Sequence, residues 1–370
     1  MNRRQFVTTT AAGAPALAAA AAAQSTASLP KNHPGLDYKP GKAVMMLGCQ
    51  SGPMTDDRMN YFKRHGVDHI TGYPETMPGG GFDADSMKRM LDLAAKHKVA
   101  VEMIQFPLPS STIDKAQMPS ILLGQPGRDR DIEKCCEIIR NCATVGIPAI
   151  KYNMSILGVL TSGTELGRGG IIQRSWNLAK AKQDPPLTIA GEVNGDLFWE
   201  RITYFLKRVV PVANEYKVRL ACHPHDPGVP KSGFRGVDRV LGTVDGLKKF
   251  VSIEESPYHG FNFCQGTVSE MLQDPGKELA DVIRYFGKRQ KIFNVHFRNI
   301  RGKRDNFVET YPDEGDVDFV KMMMVYKEVG YPYMMMPDHM PRHANDPGGR
   351  ESFAWAYGYI KALIQMAQRT

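Results

Sequence analysis

The feature that most restricts the fold is a regular alternation of short apolar runs and longer amphipathic segments. We predict a strand for each apolar run: Ala43–Cys49, Val67–Tyr73, Val99–Phe106, Pro148–Met154, Val218–His223, Gly260–Cys264, Lys291–Arg298 and Tyr333–Asp338. We predict a helix for each amphipathic segment: Met54–His65, Asp83–His97, Arg128–Val145, Leu197–Tyr216, Val244–Ile253, Lys277–Arg289, Val317–Val329 and Phe353–Ala367. Consecutive strand–helix units require parallel strands joined by right-handed crossovers. The pattern therefore predicts an α/β fold, a closed (β/α)8 TIM barrel, with residues 155–190 as a long loop.

The alternative to a closed barrel is an open, doubly wound sheet. Such sheets that bind dinucleotides carry Gly-x-Gly-x-x-Gly directly after the first strand. No such motif follows Cys49, and the glycine run Gly79–Gly81 follows the second strand without the required spacing. We therefore predict one barrel domain over residues 43–370.

The N-terminus is typical of an export signal. Arg3 and Arg4 precede an alanine-rich run, Ala11–Ala23, that ends in small residues. A charged region, an apolar region and a small-residue end in this order define a secretory signal, and the arginine pair indicates the Tat type. We predict a Tat-type signal peptide at residues 1–24, a leader at 25–42 and export to the periplasm. The run is too short to span a membrane.

Charge and cysteine content exclude two further classes of protein. The net charge of +8 is spread along the chain without the Lys/Arg block of a nucleic-acid-binding arm. Of six cysteines, three fall in one predicted helix and three near strand ends, so no disulfide framework is expected.

Metal-binding side chains end four consecutive predicted strands. His223, Cys264, His296 and Asp338 stand at or near the ends of the fifth to eighth predicted strands. The C-terminal ends of barrel strands converge on one face, so these four side chains can reach a common point. A set of imidazole, thiolate and carboxylate can hold zinc, iron(II) or manganese(II), and its composition does not choose among them. His225 and Asp226 follow His223 too closely for all three to bind one ion.

The second half of the chain resembles the mannonate dehydratase family. The resemblance extends from about residue 130 to the C-terminus with the order and spacing of the motifs preserved. The motifs are Gly146-Ile147 with Tyr152-Asn153, Trp199-Glu200, Tyr204-Phe205, Val210–Ala213, Cys222–Pro227, Phe263–Gly266, His296–Asn299, Phe307 with Glu309, Gly315–Asp318 and Pro337–His339.

The resemblance implies a xylose-isomerase-like barrel that converts D-mannonate to 2-keto-3-deoxy-D-gluconate and water. It places the metal ligands on His223, Cys264, His296 and Asp338, with Mn²⁺ as the expected ion and Fe²⁺ or Zn²⁺ as alternatives. Such a lyase also needs an acid/base group and a cation for the substrate carboxylate. The resemblance implies His339 for the first role and Arg298 for the second. Tyr152 and Asn153 are predicted to bind sugar hydroxyls.

The chain departs from the family pattern around the metal ligands. His225 replaces an acidic residue, Pro312 replaces a histidine, and Pro347–Gly349 replaces a Pro-Gly-Tyr motif whose tyrosine, by the resemblance, has a catalytic role. Ser162–Thr164 stands where the family has Trp-Arg-Thr. His225 is our predicted catalytic substitute, and His343 and Tyr357 are further candidates.

Two alternative functions are compatible with the sequence. One is a metal-dependent sugar isomerase or epimerase on the same type of barrel, and the other is a periplasmic carbohydrate-binding protein without catalysis. The expected partner is a small sugar acid or sugar, with no nucleic acid and no membrane span. The sequence leaves the existence of a homo-oligomer open.

Overall fold

A computed structural model describes residues 43–370 except Gly79 and Gln183. The predicted signal peptide and leader therefore lie outside the described residues. Within the described part of the chain, no helix has the length and apolar character needed to cross a membrane.

Eight strands close into a barrel. The strands of the described residues are β1 (Met46–Cys49), β2 (His69–Gly72), β3 (Ala100–Gln105), β4 (Ala149–Asn153), β5 (Gly163–Leu166), β6 (Ile172–Asn177), β7 (Arg219–His223), β8 (His259–Cys264), β9 (Ile292–His296), β10 (Asn299–Lys303), β11 (Asn306–Thr310) and β12 (Met334–Met336). The barrel order is β1-β2-β3-β4-β7-β8-β9-β12, and β12 pairs with β1. Neighbouring barrel strands are parallel, so the predicted (β/α)8 TIM barrel is confirmed.

Helices connect the barrel strands. Those in the described residues are α1 (Asp56–Arg64), α2 (Ala84–Lys96), α3 (Pro119–Leu123), α4 (Arg128–Val145), α5 (Gly195–Tyr216), α6 (Val244–Ser252), α7 (Gln265–Ser269), α8 (Pro275–Gly287), α9 (Phe319–Glu328) and α10 (Arg350–Arg369). Local sequence fixes many of their starts. Thr55, Asp83, Asn194 and Thr243 each accept a backbone N–H bond in the first turn of the helix that follows. These caps satisfy donors that a helix start leaves unpaired.

A second, antiparallel sheet has the order β10-β11-β6-β5. Its strands β5 and β6 lie within residues 155–190, so the prediction of a long loop there is wrong. In β6, Gln173, Ser175 and Trp176 are buried, and the strand pairs with β11, some 130 positions later in the chain. β6 also pairs with the nearby β5, but every residue of β5 is exposed, so this hairpin lacks the apolar alternation that marks a strand in a sequence.

Apolar side chains from five strands fill part of the barrel interior. This cluster consists of Met103, Ala149, Ala221, Phe293, Met334 and Met336. All are at most 3% exposed, as expected for the layered interior of a barrel of this type. The methionine run of β12 therefore belongs to the core.

His259 at the start of β8 makes stability depend on pH. Its ring is fully buried against Phe250, and Nε2–H donates to the Phe250 carbonyl oxygen at 3.0 Å. Burial lowers the pKa of His259 from 6.5 to about 4. As the pH falls, His259 is protonated in the unfolded chain before it is protonated in the folded one. Its contribution to the free energy of unfolding is therefore fully present above pH 6.5 and is lost as the pH falls towards 4. The contribution of this one group is about 3 kcal/mol across that window.

A His259→Gln variant is expected to lose less stability than the wild type between pH 6.5 and 4. Glutamine keeps an N–H donor for the Phe250 carbonyl but does not titrate. Urea unfolding at several pH values measures the difference. If the free energy of unfolding fell equally with pH in the variant and in the wild type, His259 would not be the source of this pH dependence.

Candidate metal centre and active site

The structure brings four predicted ligands together at the C-terminal end of the barrel. His223 ends β7, Cys264 ends β8, His296 ends β9, and Asp338 follows β12. One donor atom from each side chain lies within 4.8 Å of one from every other. The Cys264 Sγ to Asp338 Oδ2 distance is 3.4 Å, and the two imidazole rings are 5.2 Å apart. A single divalent ion can therefore be bound by all four.

Hydrogen bonds to the two histidines leave one nitrogen of each ring free for an ion. The Nδ1–H of His223 donates to the Pro224 carbonyl oxygen at 2.7 Å, which leaves Nε2 as a lone-pair donor. His296 Nε2 lies 3.2 Å from Asn262 Nδ2 and 3.3 Å from the Gln50 side-chain oxygen, which can accept from Nε2–H. His296 Nδ1 is buried without a hydrogen bond, 3.2 Å from Asp338 Oδ1. A buried ring nitrogen that has no hydrogen bond and lies beside a carboxylate is suited to bind a cation. In metal-binding histidines, a hydrogen bond at the other ring nitrogen orients the ring in this way.

The protonation states of these groups suit metal binding. Burial lowers the pKa of His223 and of His296, so both imidazoles are neutral at neutral pH. Burial alone would raise the pKa of Asp338, but His339, His296 and Arg298 hold it well below its usual value. Burial raises the pKa of the Cys264 thiol, so a cation is needed to hold its thiolate form. A thiolate and a carboxylate together neutralise a divalent ion.

Arg298, predicted to bind the substrate carboxylate, lies fully buried beside the metal site. Its Nη2 contacts Asp226 Oδ2 at 2.9 Å and Glu270 Oε1 at 2.8 Å, and its Nη1 contacts Glu309 Oε1 at 2.7 Å. A Cβ at Gly266 would collide with this guanidinium, so the glycine after Cys264 makes room for it. The structure thus places Arg298 among protein carboxylates and away from the pocket wall.

His339 lies where this buried cluster meets the pocket. Its Nδ1 is 3.1 Å from Glu309 Oε1 and 2.6 Å from Arg174 Nη2 on β6, and it also contacts Arg298. Nε2 makes no hydrogen bond with any described residue and lies 3.9 Å from Asp338 Oδ1. About a third of the His339 side chain is exposed. His339 is therefore held at Nδ1 and open at Nε2.

The charges of the buried cluster balance. Although burial opposes ionisation, Arg298 and Arg174 lower the pKa of Asp226, and Arg298 and His339 lower that of Glu309 to about 2. Burial, reinforced by Asp226, raises the pKa of Glu270 well above its usual value. Two guanidinium cations thus face two ionised carboxylates and one protonated carboxyl group.

A pocket of about 220 Å³ opens over the predicted ligands. Its wall is formed by Gln50, Ser110, Lys151, Asn153, Ser155, Gly158, Val159, His223, Pro224, Asp226, His296, Asp338 and His339. Asn153, predicted to bind sugar hydroxyls, is on this wall. Tyr152 points away from it: its ring is fully buried between Phe106 and Phe205.

His225, predicted as a catalytic substitute, is turned away from the pocket. Its Nε2–H donates to the Met154 carbonyl oxygen at 2.7 Å, and its Nδ1 accepts from the Leu241 N–H at 3.3 Å. The ring stacks on Phe198, and burial lowers its pKa to about 3. Because both ring nitrogens are hydrogen-bonded to backbone groups, His225 stabilises the fold and is not placed to act on a substrate in the pocket.

The two further candidates also lie away from the pocket wall. His343 is on a separate surface depression, with Nε2 3.7 Å from Glu351 Oε2. Tyr357 is buried in α10 and bonds Cys49 Sγ at 2.8 Å. Neither replaces the catalytic tyrosine of the family pattern in this arrangement.

Sequence reasoning missed Lys151 and Arg174. Lys151 stands inside the apolar run of β4, and a charge within a buried strand is rare enough to have marked it. Arg174 falls in the stretch predicted as a loop, where no local pattern indicated a role.

A closed barrel whose strand ends gather two imidazoles, a thiol and a carboxylate over one pocket defines a divalent-metal-dependent barrel enzyme. A family model described as D-mannonate dehydratase (UxuA) matches residues 176–368. Mannonate dehydratase 2 of Halalkalibacterium halodurans is 30% identical over 320 residues, which cover 78% of this chain and 88% of that protein. The chain belongs to the mannonate dehydratase family.

Further relatives agree in sequence and fold. The mannonate dehydratase of Thermotoga petrophila is 29% identical over 254 residues, 59% of this chain and 69% of that protein. The crystal structure of mannonate dehydratase from Streptococcus suis covers 88% of this chain and 94% of that one, with a TM-score of 0.76 and 21% identity. A xylose isomerase domain protein from Planctomyces limnophilus covers 89% of this chain and all of that one, with a TM-score of 0.55 and 12% identity. These two structures show the xylose-isomerase-like barrel fold.

Proposed function

We propose that this chain is a divalent-metal-dependent lyase that dehydrates D-mannonate to 2-keto-3-deoxy-D-gluconate. The observation that carries the proposal is the joint presence, on one pocket wall, of the four-residue donor set and of His339 with a free Nε2. Membership of the mannonate dehydratase family supports the substrate and the reaction.

The reaction breaks the C2–H and C3–O bonds and releases water. The resulting enol becomes the 2-keto group when C3 takes up a proton. The C2 proton is very weakly acidic, and a divalent ion, when bound, would supply positive charge that makes its removal easier. His223, Cys264, His296 and Asp338 would hold this ion. We propose Mn²⁺, with Fe²⁺ or Zn²⁺ as the alternatives that the same donor set allows.

His339 is the acid/base group in this proposal. When Nδ1–H donates to Glu309, Nε2 is a base able to take the C2 proton. Once Nε2 has taken this proton the ring is an imidazolium, and its Nε2–H is an acid able to protonate the departing C3 hydroxyl. The Glu309 carboxylate beside Nδ1 stabilises this cation, so one proton taken from C2 serves both steps. Arg298 is a positioning residue, because it acts through Asp226 and Glu309.

A direct assay tests the dehydratase proposal. The purified, Mn²⁺-loaded protein is expected to form a 2-keto-3-deoxy acid from D-mannonate, detected by a thiobarbiturate assay. Failure with D-mannonate and every other aldonate would overturn it. Deuterium exchange at C2 of a neutral sugar, without such a product, would instead establish an isomerase or epimerase, and sugar binding without turnover a binding protein.

Metal removal is expected to abolish activity and lower the melting temperature. An ion that binds only the folded chain stabilises it by about 2.7 kcal/mol at a hundred times its dissociation constant. Elemental analysis and thermal melting before chelation, after chelation and after adding back Mn²⁺ measure the effect. A protein that binds no metal under any of these conditions would contradict the assigned centre.

Export and assembly remain predictions. The twin-arginine segment motivates the proposal of periplasmic location through the Tat route. Cell fractionation with a signal-deleted control tests that proposal, and light scattering of the purified protein tests whether it forms a homo-oligomer.

A further inference from the structure

Lys151 is a buried cation on the pocket wall that the proposed chemistry does not use. It lies in β4, every residue of which is buried, and is 3% exposed. It lines the same pocket as the metal donors and His339. Its amine is therefore held inside the site, away from bulk solvent.

No carboxylate of the described residues forms an ion pair with Lys151. Its polar neighbour is Asn153, whose side-chain oxygen, turned towards it, accepts from Nζ at 3.2 Å and from the Ser110 N–H at 3.3 Å. The contrast with another buried lysine is direct, because Lys291, 2% exposed, pairs with Glu255 at 2.5 Å. Buried charges in proteins are normally paired, so an unpaired one marks a place for a ligand.

The other negatively charged groups of the site already have positive partners. Two anionic donors neutralise a divalent ion, and the guanidinium groups of Arg298 and Arg174 are matched by Asp226 and Glu309. Burial lowers the pKa of Lys151 to about 8, so the amine is still mostly protonated at neutral pH. The amine of Lys151 is thus a cation on the pocket wall with no carboxylate partner among the described residues.

We propose that Lys151 binds the carboxylate of the substrate and selects sugar acids over neutral sugars. Asn153 and Ser110 fix the direction of the amine. This inference rests on the proposed function for the class of substrate, and it gives the carboxylate-binding role predicted for Arg298 to a residue on the pocket wall.

Binding measurements test this role without relying on turnover. Calorimetry with the metal-loaded protein compares D-mannonate with mannitol, a neutral six-carbon polyol. In Lys151→Met the affinity for D-mannonate is expected to fall roughly ten- to hundredfold, as for a lost charge-assisted hydrogen bond. Mannitol binding is expected to stay unchanged. The exposed Lys248→Met variant is the matched control, expected to bind both ligands as the wild type does.

The outcomes separate this inference from the proposed function. Unchanged D-mannonate affinity in Lys151→Met, or equal losses for acid and polyol, would overturn the role of Lys151. Lysine-dependent binding of D-mannonate without product would overturn the dehydratase proposal and leave this one standing. The variant is expected to melt no lower than the wild type, because an unpaired buried charge does not stabilise the fold. Lys151→Gln is the second variant, and failure of both to fold would also refute the inference.

Discussion

Replacing Arg298 by methionine is expected to lower the free energy of unfolding by about 3–5 kcal/mol. The change leaves Asp226 and Glu309 buried with Arg174 as their remaining cation. Methionine fills much of the volume but supplies no charge or donor. The loss is measured by urea unfolding at a fixed metal concentration, and activity is expected to fall with it because His339 loses its support.

A surface arginine provides the control for this variant. Arg284 contacts Glu328 at 2.8 Å and Asp281 at 3.2 Å, with about a third of its side chain exposed. Exposed pairs of this kind contribute about 0–1 kcal/mol, so Arg284→Met should remain close to the wild type. Similar losses in the two variants would show that the buried cluster has no special importance for stability.

Replacing His339 by glutamine is expected to reduce kcat for D-mannonate by roughly 10²- to 10⁴-fold. Glutamine can accept or donate a hydrogen bond but does not transfer a proton at neutral pH. Because His339 is outside the four-residue donor set, the variant should bind its metal and melt as the wild type does. Steady-state kinetics with metal analysis on the same sample measure both properties.

The same substitution at His343 is the matched control. His343 is near the end of the same loop but lies on a separate depression, so His343→Gln should retain activity. If His339→Gln kept its kcat, proton transfer would have to be assigned to another group. If it lost its metal as well, the effect on kcat would report the metal site and not proton transfer.

The barrel and the convergence of the four proposed metal ligands could be predicted from the sequence for a common reason. Strand–helix alternation is a local pattern, and it places every strand end on one face. Once His223, Cys264, His296 and Asp338 were recognised at such ends, their convergence followed from the topology. The bounds differed by a few residues because strand ends depend on the neighbours with which they pair.

The residues around the four proposed metal ligands could not be predicted from the sequence in the same way. β6 pairs with both β5 and β11, and only the pairing with the distant β11 brings Arg174 beside Glu309 and His339, so the sequence did not place Arg174 there. Arg298 looked available for substrate, since a sequence does not show which carboxylates will surround a guanidinium. His225 occupied a position in a motif, but the direction of its ring depends on Met154 and Phe198, which come from other segments.

The antiparallel sheet divides the site into two parts with different scope for evolutionary change. Three of the proposed metal ligands end barrel strands and Asp338 follows one, whereas β6 and β11 of the added sheet carry Arg174 and Glu309 next to His339. Insertions and substitutions in those connecting segments can therefore change proton transfer and substrate specificity without altering the four proposed metal ligands.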